Sequence, residues 1–130
     1  MNEQVHDAGQ AVRREVLGDE HVDRSMEKST ACSKPMQDLV TEYCWGTIWT
    51  RDHLDRRSRS ILNLGILTAL NRGRELKLHV RGALHNGLSV EEIREVLLQS
   101  AVYCGIPAAL DAFSAAESVL EEMGALDAAE

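Results

Sequence analysis

The stretch from Arg74 to Asn86 places a carboxylate and an imidazole one helical turn apart. Its apolar residues recur with helical spacing, which predicts an α-helix over this stretch. At about 100° per residue, one stripe at the edge of the predicted core face contains Glu75, His79, Gly82 and Asn86. A carboxylate beside an imidazole orients the ring and raises its pKa, which suits general acid–base catalysis. The same spacing fits a surface ion pair worth about 0.2–0.5 kcal/mol, so spacing alone leaves both interpretations open.

Arginines are concentrated at the start of another predicted helix. Arg56, Arg57 and Arg59 lie in its first turn, where each cation opposes the helix dipole at a cost of about 0.3–1 kcal/mol before screening. Either the nearby aspartates neutralise these cations, or the cluster binds an anion. Because a planar guanidinium binds a carboxylate in a bidentate manner, we predict that Arg51 and Arg59 bind a carboxylate. Arg56 and Arg57 are expected to face solvent.

Two tryptophans, Trp45 and Trp49, precede the arginines in the chain. Their rings could form the wall of a pocket for a flat substrate. Packing in the core or in an interface is the commoner role of such rings. Both interpretations stay open at this point.

The three cysteines, Cys32, Cys44 and Cys104, are widely spaced and form no C-x-x-C motif. Their number is odd, and their spacing fits neither a disulfide framework nor a zinc site. Free thiols are therefore expected, and no metal site is predicted.

The composition narrows the possible classes of function. A chain of 130 residues, 44% of them hydrophobic, is long enough for one domain with one core, residues 1–130. Its formal net charge of −7 disfavours nucleic acid as a partner, and an anionic ligand would need a local positive site. No stretch reaches the length of about 18 apolar residues that spans a membrane, and the polar start shows no secretory signal. A cytoplasmic protein that binds neither nucleic acid nor membrane is expected.

The apolar residues recur with helical periodicity along most of the chain, and no stretch alternates with period two. We predict an all-α, single-domain bundle of about six helices, with residues 19–33 polar and irregular. The helix from about Asp55 to Leu70 is apolar on almost every side, which predicts a buried central helix. Because several helices are apolar on more than one side, self-association is expected. The other predicted helices are Glu3–Leu17, Pro35–Tyr43, Arg74–Asn86, a helix that ends at Cys104 after a capping box of Ser89 and Glu92, and Pro107–Met123.

The residues quoted above resemble the carboxymuconolactone decarboxylase family, within the alkylhydroperoxidase D-like superfamily. The resemblance is carried by ELKLHVRGALHNGLS at residues 75–89, followed by EIREVL at 92–97. It extends over about residues 7–122, and its flanking segments are 16–18, 22–25, 45–60 and 104–109. The E-L-x-x-H…N-G core is specific to the family, and the flanking segments resemble its decarboxylase branch.

This resemblance implies an all-helical subunit that assembles into a ring-like homohexamer, with a trimer as the other possibility, and that uses no metal or organic cofactor. The implied reaction is loss of CO2 from 4-carboxymuconolactone, which gives the enol-lactone of 3-oxoadipate in the protocatechuate (β-ketoadipate) branch of aromatic catabolism. By the same resemblance, His79 and Glu75 match the residues suspected of catalysis.

The sequence also supports assignments for substrate binding. Arg51 and Arg59 would bind the substrate carboxylates, and Trp45 and Trp49 would line the pocket. Asn86 would also contact the substrate, since it shares the stripe of the catalytic pair.

Three alternatives remain from the sequence. The first is a decarboxylase or isomerase that acts on a related lactone in another pathway. The second is an alkylhydroperoxidase D-like peroxidase, which the residues disfavour because Glu75 and Ser60 stand near the places of a cysteine and a proton-relay glutamate. The third is a non-enzymatic oligomeric scaffold.

Overall fold

The computed structural model describes residues 1–126, and the all-α class predicted from the sequence is confirmed for them. The count of about six helices is too low, because the described residues form seven α-helices and one π-helical segment. These are α1 (Glu3–Leu17), α2 (Asp19–Glu27), α3 (Lys34–Leu39), the π-helical segment (Val40–Ile48), α4 (Arg56–Ala69), α5 (Gly73–His85), α6 (Val90–Cys104) and α7 (Ile106–Glu122). They belong to two compact units, an N-terminal unit (Met1–Asp55) and a C-terminal unit (Arg56–Glu130). The assignment of residues 1–130 to one domain stays a prediction.

The prediction of irregular backbone for residues 19–33 is wrong in its first half, where α2 forms. Asp19 and Glu20 lie in its first turn, where acidic side chains are favourable to the helix dipole. Val22 is its one buried residue. A helix with one buried side chain shows no apolar periodicity, and for this reason the sequence pattern missed it.

The helix predicted over Pro35–Tyr43 is longer than expected and changes type. It starts as α3 and continues as the π-helical segment to Ile48, which packs against α1. The two backbones approach closely at glycines: a Cβ added to Gly9 would lie 2.1 Å from the carbonyl oxygen of Thr41, and one added to Gly46 would lie 2.4 Å from that of Val5. Only glycine therefore fits at these two positions.

The C-terminal unit is a helical bundle. In this bundle α5 and α7 pack on α4, and α6 packs on both α4 and α7. Its core contains fully buried aliphatic side chains such as Leu64, Leu76, Val80 and Leu97. The capping box at the start of α6 is confirmed, since the Ser89 side chain accepts from the backbone N–H of Glu92 at 3.0 Å and the Glu92 carboxylate accepts from that of Ser89 at 3.0 Å.

One face of the C-terminal unit is apolar and exposed. The prediction that α4 is a buried central helix is wrong for the described chain, because Leu62 and Ile66 are 54% and 43% exposed. On α6, Val102 and Tyr103 are 79% and 83% exposed. Between the two helices lies a groove of about 420 Å³ whose lining includes Ile61, Leu62, Ile66, Val96, Tyr103 and Cys104. We call this surface the α4–α6 face.

Within residues 1–126, none of the helices combines the length and the apolar character that a membrane crossing requires.

We predict that Gly46→Ala destabilises the protein by about 1–3 kcal/mol, because the new Cβ would overlap the backbone of α1 and force it to shift. Gly73→Ala is the matched control, since a Cβ there meets nothing within 4 Å and the change is expected to be neutral or to stabilise by about 0.4–1 kcal/mol. Urea denaturation followed by circular dichroism measures both. Equal midpoints for the two variants would contradict the close helix contact.

Candidate functional site

Polar side chains from α4 and α5 meet along one edge of the C-terminal core. On α4, Arg56, Ser60 and Asn63 follow one another at helical spacing and so share a face. On α5, His79 and Asn86 are spaced by seven residues and face α4. We call this group of five residues the α4–α5 polar seam.

One end of the seam is held by Asn86, which caps the C-terminus of α5. Its amide Nδ2 donates to the Ser60 hydroxyl at 2.9 Å and lies 3.4 Å from the backbone carbonyl oxygen of Arg56. Ser60 is 1% exposed. The amide therefore ties the last turn of α5 to the first turns of α4, and a direct role for Asn86 in substrate binding stays a prediction.

The other end of the seam holds His79. Its ring Nδ1 lies 3.4 Å from the amide Nδ2 of Asn63, and both side chains are half-buried. The sequence analysis missed Asn63. The available signal was a single amide side chain inside the apolar run Ile61–Leu67, where a polar residue needs a hydrogen-bond partner.

Glu75 lies in the first turn of α5 and is exposed. Within residues 1–126 no hydrogen bond or ion pair joins it to His79. Its position also suits an acidic residue that stabilises the helix dipole. The hypothesis that Glu75 orients His79 stays a prediction.

The arginines at the start of α4 are half-buried. Arg57 forms an ion pair with Glu92, the capping-box residue of α6, and both side chains are about two-fifths exposed, at 42% and 43%. An ion pair with that exposure contributes about 0–1 kcal/mol. Arg59 lies on the same helix, whereas Arg51 belongs to the N-terminal unit and is exposed, so their carboxylate-binding role stays a prediction.

The two tryptophans pack on one another in the N-terminal unit. The ring centroids of Trp45 and Trp49 are 4.7 Å apart with an interplanar angle of 32°, and the side chains are 3% and 6% exposed. Buried, mutually packed rings are typical of core residues. A role as pocket wall stays a prediction.

The N-terminal unit also contains a buried cation, Arg13. Arg13 is 7% exposed, and its Nη1 donates to Gln37 Oε1 at 3.1 Å and to Thr41 Oγ1 at 3.3 Å. Its buried Nε has no hydrogen-bond partner among the described residues. Burial lowers the pKa of Arg13 and raises that of the nearby Cys44 thiol.

All three cysteines are free, as predicted. In the part of the chain that the structure describes, no group of three or more His, Cys, Asp or Glu side chains is arranged to hold a metal ion.

This geometry defines the class of protein: it is all-helical, and a histidine lies between two packed helices. Comparison with known proteins gives the family. Residues 34–118, more than half of the chain, match the model of the carboxymuconolactone decarboxylase family. Over 123 residues, the chain is 41% identical to a nitrosuccinic acid decarboxylase of Metarhizium robertsii, and the match covers 95% of this chain and 86% of that protein.

Two relatives carry the name 4-carboxymuconolactone decarboxylase. The one from Acinetobacter baylyi is 37% identical over 123 residues, which cover 95% of this chain and 92% of that protein. The one from Pseudomonas putida is 46% identical over 43 residues, which cover 33% of this chain and 90% of that protein. The chain therefore belongs to the carboxymuconolactone decarboxylase family, which confirms the family predicted from the sequence and supports a decarboxylase.

We predict that an alkylating agent such as iodoacetamide modifies exposed Cys32 at neutral pH at least about tenfold faster than Cys44. The thiolate is the nucleophile, and burial raises the pKa of Cys44 above its ordinary value. The Cys44 thiolate is therefore a smaller fraction at neutral pH than it would be for an ordinary exposed cysteine. Mass spectrometry of peptides after timed labelling measures both rates, with the unfolded chain as the control in which both react alike. Equal rates in the folded protein would contradict the burial of Cys44.

Proposed function

We propose that this protein decarboxylates 4-carboxymuconolactone to the enol-lactone of 3-oxoadipate without a cofactor, in the protocatechuate branch of aromatic catabolism. Nitrosuccinic acid is the second candidate substrate. The observation that carries both candidates is the similarity over 95% of the chain to a decarboxylase of each name. The α4–α5 polar seam contains a histidine, His79, of the residue type that most often donates a proton in such a reaction.

The two reactions have the same electron flow. In 4-carboxymuconolactone the bond to the departing carboxylate breaks, and its electron pair passes through the ring double bond to the lactone carbonyl as a dienolate. A proton then adds to the carbon next to that carbonyl. In nitrosuccinic acid the electron pair passes to the nitro group as a nitronate, and the proton adds to the carbon that lost CO2. Each reaction releases CO2, takes up one proton and needs no external electron acceptor.

The two substrates also share a skeleton. In each, the departing carboxylate is bonded to a carbon that also bears a CH2–COO⁻ arm and an electron-withdrawing group. A protein that holds the arm, stabilises the anion and returns a proton could act on either molecule. We therefore propose, as the substrate class, succinates with such a group on the carbon next to the departing carboxylate.

The residues divide these tasks in the following way. Arg51 and Arg59 bind carboxylate, because a chain with a formal net charge of −7 attracts an anion only through a local cation. His79 donates the proton or stabilises the oxyanion, and Glu75 favours its protonated form. Asn86 contacts the substrate, and Trp45 and Trp49 line its pocket.

The test of the function offers the purified protein 4-carboxymuconolactone, nitrosuccinic acid and succinate in separate reactions, with products followed by ¹³C NMR. Succinate is the control that lacks an electron sink and is expected to stay intact. Turnover of 4-carboxymuconolactone supports the first proposal. Turnover of nitrosuccinic acid alone overturns it in favour of the second, and turnover of neither substrate overturns both.

We predict that His79→Ala lowers kcat by about 10²–10⁴, the usual contribution of general acid–base catalysis. His85→Ala is the matched control, because His85 is an exposed histidine of the same helix and is expected to keep the kinetics of the parent protein. Glu75→Gln should lower kcat as well, and combined with His79→Ala it should add little, because the two residues act as a unit. A folded His79→Ala protein with normal kcat would remove His79 from the mechanism.

The exposed α4–α6 face supports a homo-oligomer, which we propose to be a hexamer. Light scattering should give a multiple of the 14.4 kDa chain mass. Tyr103→Glu should dissociate the assembly, because it places a charge in the apolar face. Ser118→Glu, at an exposed position of α7, is the control that should leave the mass unchanged. A stable monomer at micromolar concentration contradicts the proposal.

A further inference from the structure

Asn63 is a polar residue at a position where its neighbours are apolar. Leu62 and Leu64 flank it on α4, and its side chain is half-buried against α5. An amide withdrawn from water without a partner costs about 1–3 kcal/mol. Its hydrogen bond to His79 offsets this cost, and the pairing of these two side chains therefore explains why α4 carries an amide at this point.

The choice of donor and acceptor in this hydrogen bond determines which ring nitrogen of neutral His79 carries the proton. The amide nitrogen of Asn63 lies 3.4 Å from Nδ1 of His79. An amide nitrogen can only donate, so Nδ1 accepts, and in the neutral ring the proton is on Nε2.

The neighbouring hydrogen bonds hold α4 and α5 in the register that this contact needs. Asn86 ties the C-terminus of α5 to Ser60 and to the carbonyl of Arg56. Ser60 precedes Asn63 by three residues, which is about one turn of α4. With the helices tied there, Asn63 and His79 stay opposite one another.

We infer that Asn63 is a positioning residue that fixes the ring orientation of His79 and places the proton of its neutral form on Nε2. Its part in catalysis rests on the proposed function, whereas its effect on the tautomer does not. An amide performs this task without adding a charge, and so it leaves the anion-binding role to the arginines.

The first experiment reads the tautomer directly and needs no substrate. Two-bond ¹H–¹⁵N spectra of histidine-labelled protein distinguish Nε2–H from Nδ1–H rings, and the peaks of His79 are assigned by their loss in His79→Gln. The parent protein should show the Nε2–H form of His79. Asn63→Leu, which keeps the side-chain size and removes the amide, should shift it towards a mixture with the Nδ1–H form.

Thr68→Val is the matched control for this spectrum. Thr68 is a buried polar residue of the same helix, and its hydroxyl donates to the carbonyl of Leu64 at 2.7 Å. The change is likewise from polar to apolar at nearly constant size, and it should leave the His79 peaks in place. An unchanged tautomer in folded Asn63→Leu overturns the inference, and so does an equal change in Thr68→Val.

The second experiment measures kinetics with whichever proposed substrate is turned over. Asn63→Leu should lower kcat by about 10- to 100-fold, the size of effect expected when the partner of a functional histidine is lost. KM should change less than about threefold, because a positioning residue acts on the ring and not on substrate binding. Equal losses in kcat for Asn63→Leu and Thr68→Val overturn the positioning role. If neither substrate is consumed by the parent protein, the proposed function fails while the spectra still decide the tautomer.

Discussion

The packing of α4 against α5 is the contact on which the candidate site depends. Burial of Leu64, Leu76 and Val80 holds the two helices together, since each such side chain contributes about 1.5–3 kcal/mol when it leaves water. The same approach removes the edge of the interface from water, where Asn63 and His79 lie. Those polar groups must then find partners across the interface, because an unsatisfied one costs about 1–3 kcal/mol. The packing of the apolar core thus fixes the position of His79, and the hydrogen-bond partner that this packing requires orients its ring.

In the N-terminal unit, close packing also encloses a polar side chain, Arg13, but satisfies only part of its hydrogen-bonding capacity among residues 1–126. Gly9 and Gly46 let the backbones of α1 and the π-helical segment come into close contact. Arg13 is enclosed by that approach, and its two acceptors are the neutral oxygens of Gln37 and Thr41. A guanidinium stays charged in proteins, so burial with neutral partners and an unpaired Nε is costly. π-Helical turns are themselves uncommon and recur at functional sites, and this unit also contains the buried Arg13 Nε that lacks a hydrogen-bond partner among residues 1–126.

Local signals in the sequence were sufficient for most of the C-terminal unit. Apolar periodicity and the Ser89–Glu92 capping box located α4 to α7 within one or two residues of their ends. The missed elements lacked such signals: α2 buries only Val22, and the close contact of the π-helical segment with α1, at Gly46 and Gly9, joins residues far apart in the sequence. His79 and Asn86 were found because they share a helix stripe. Asn63 lies on another helix, and no rule of sequence spacing relates residue 63 to residue 79.

The identity of the partner of His79 decides what kind of acid the ring can be. A carboxylate at hydrogen-bond distance would favour the imidazolium and hold its proton more tightly. A neutral amide orients the ring without that bias. Glu75 is exposed to water one turn away from His79, where water screens the field of a carboxylate. The proposed mechanism thus assigns orientation and charge to different residues, an amide on α4 and a carboxylate on α5. The last step of the proposed reaction is protonation of a carbanion, and in that step the orientation of the ring determines where its proton can be delivered.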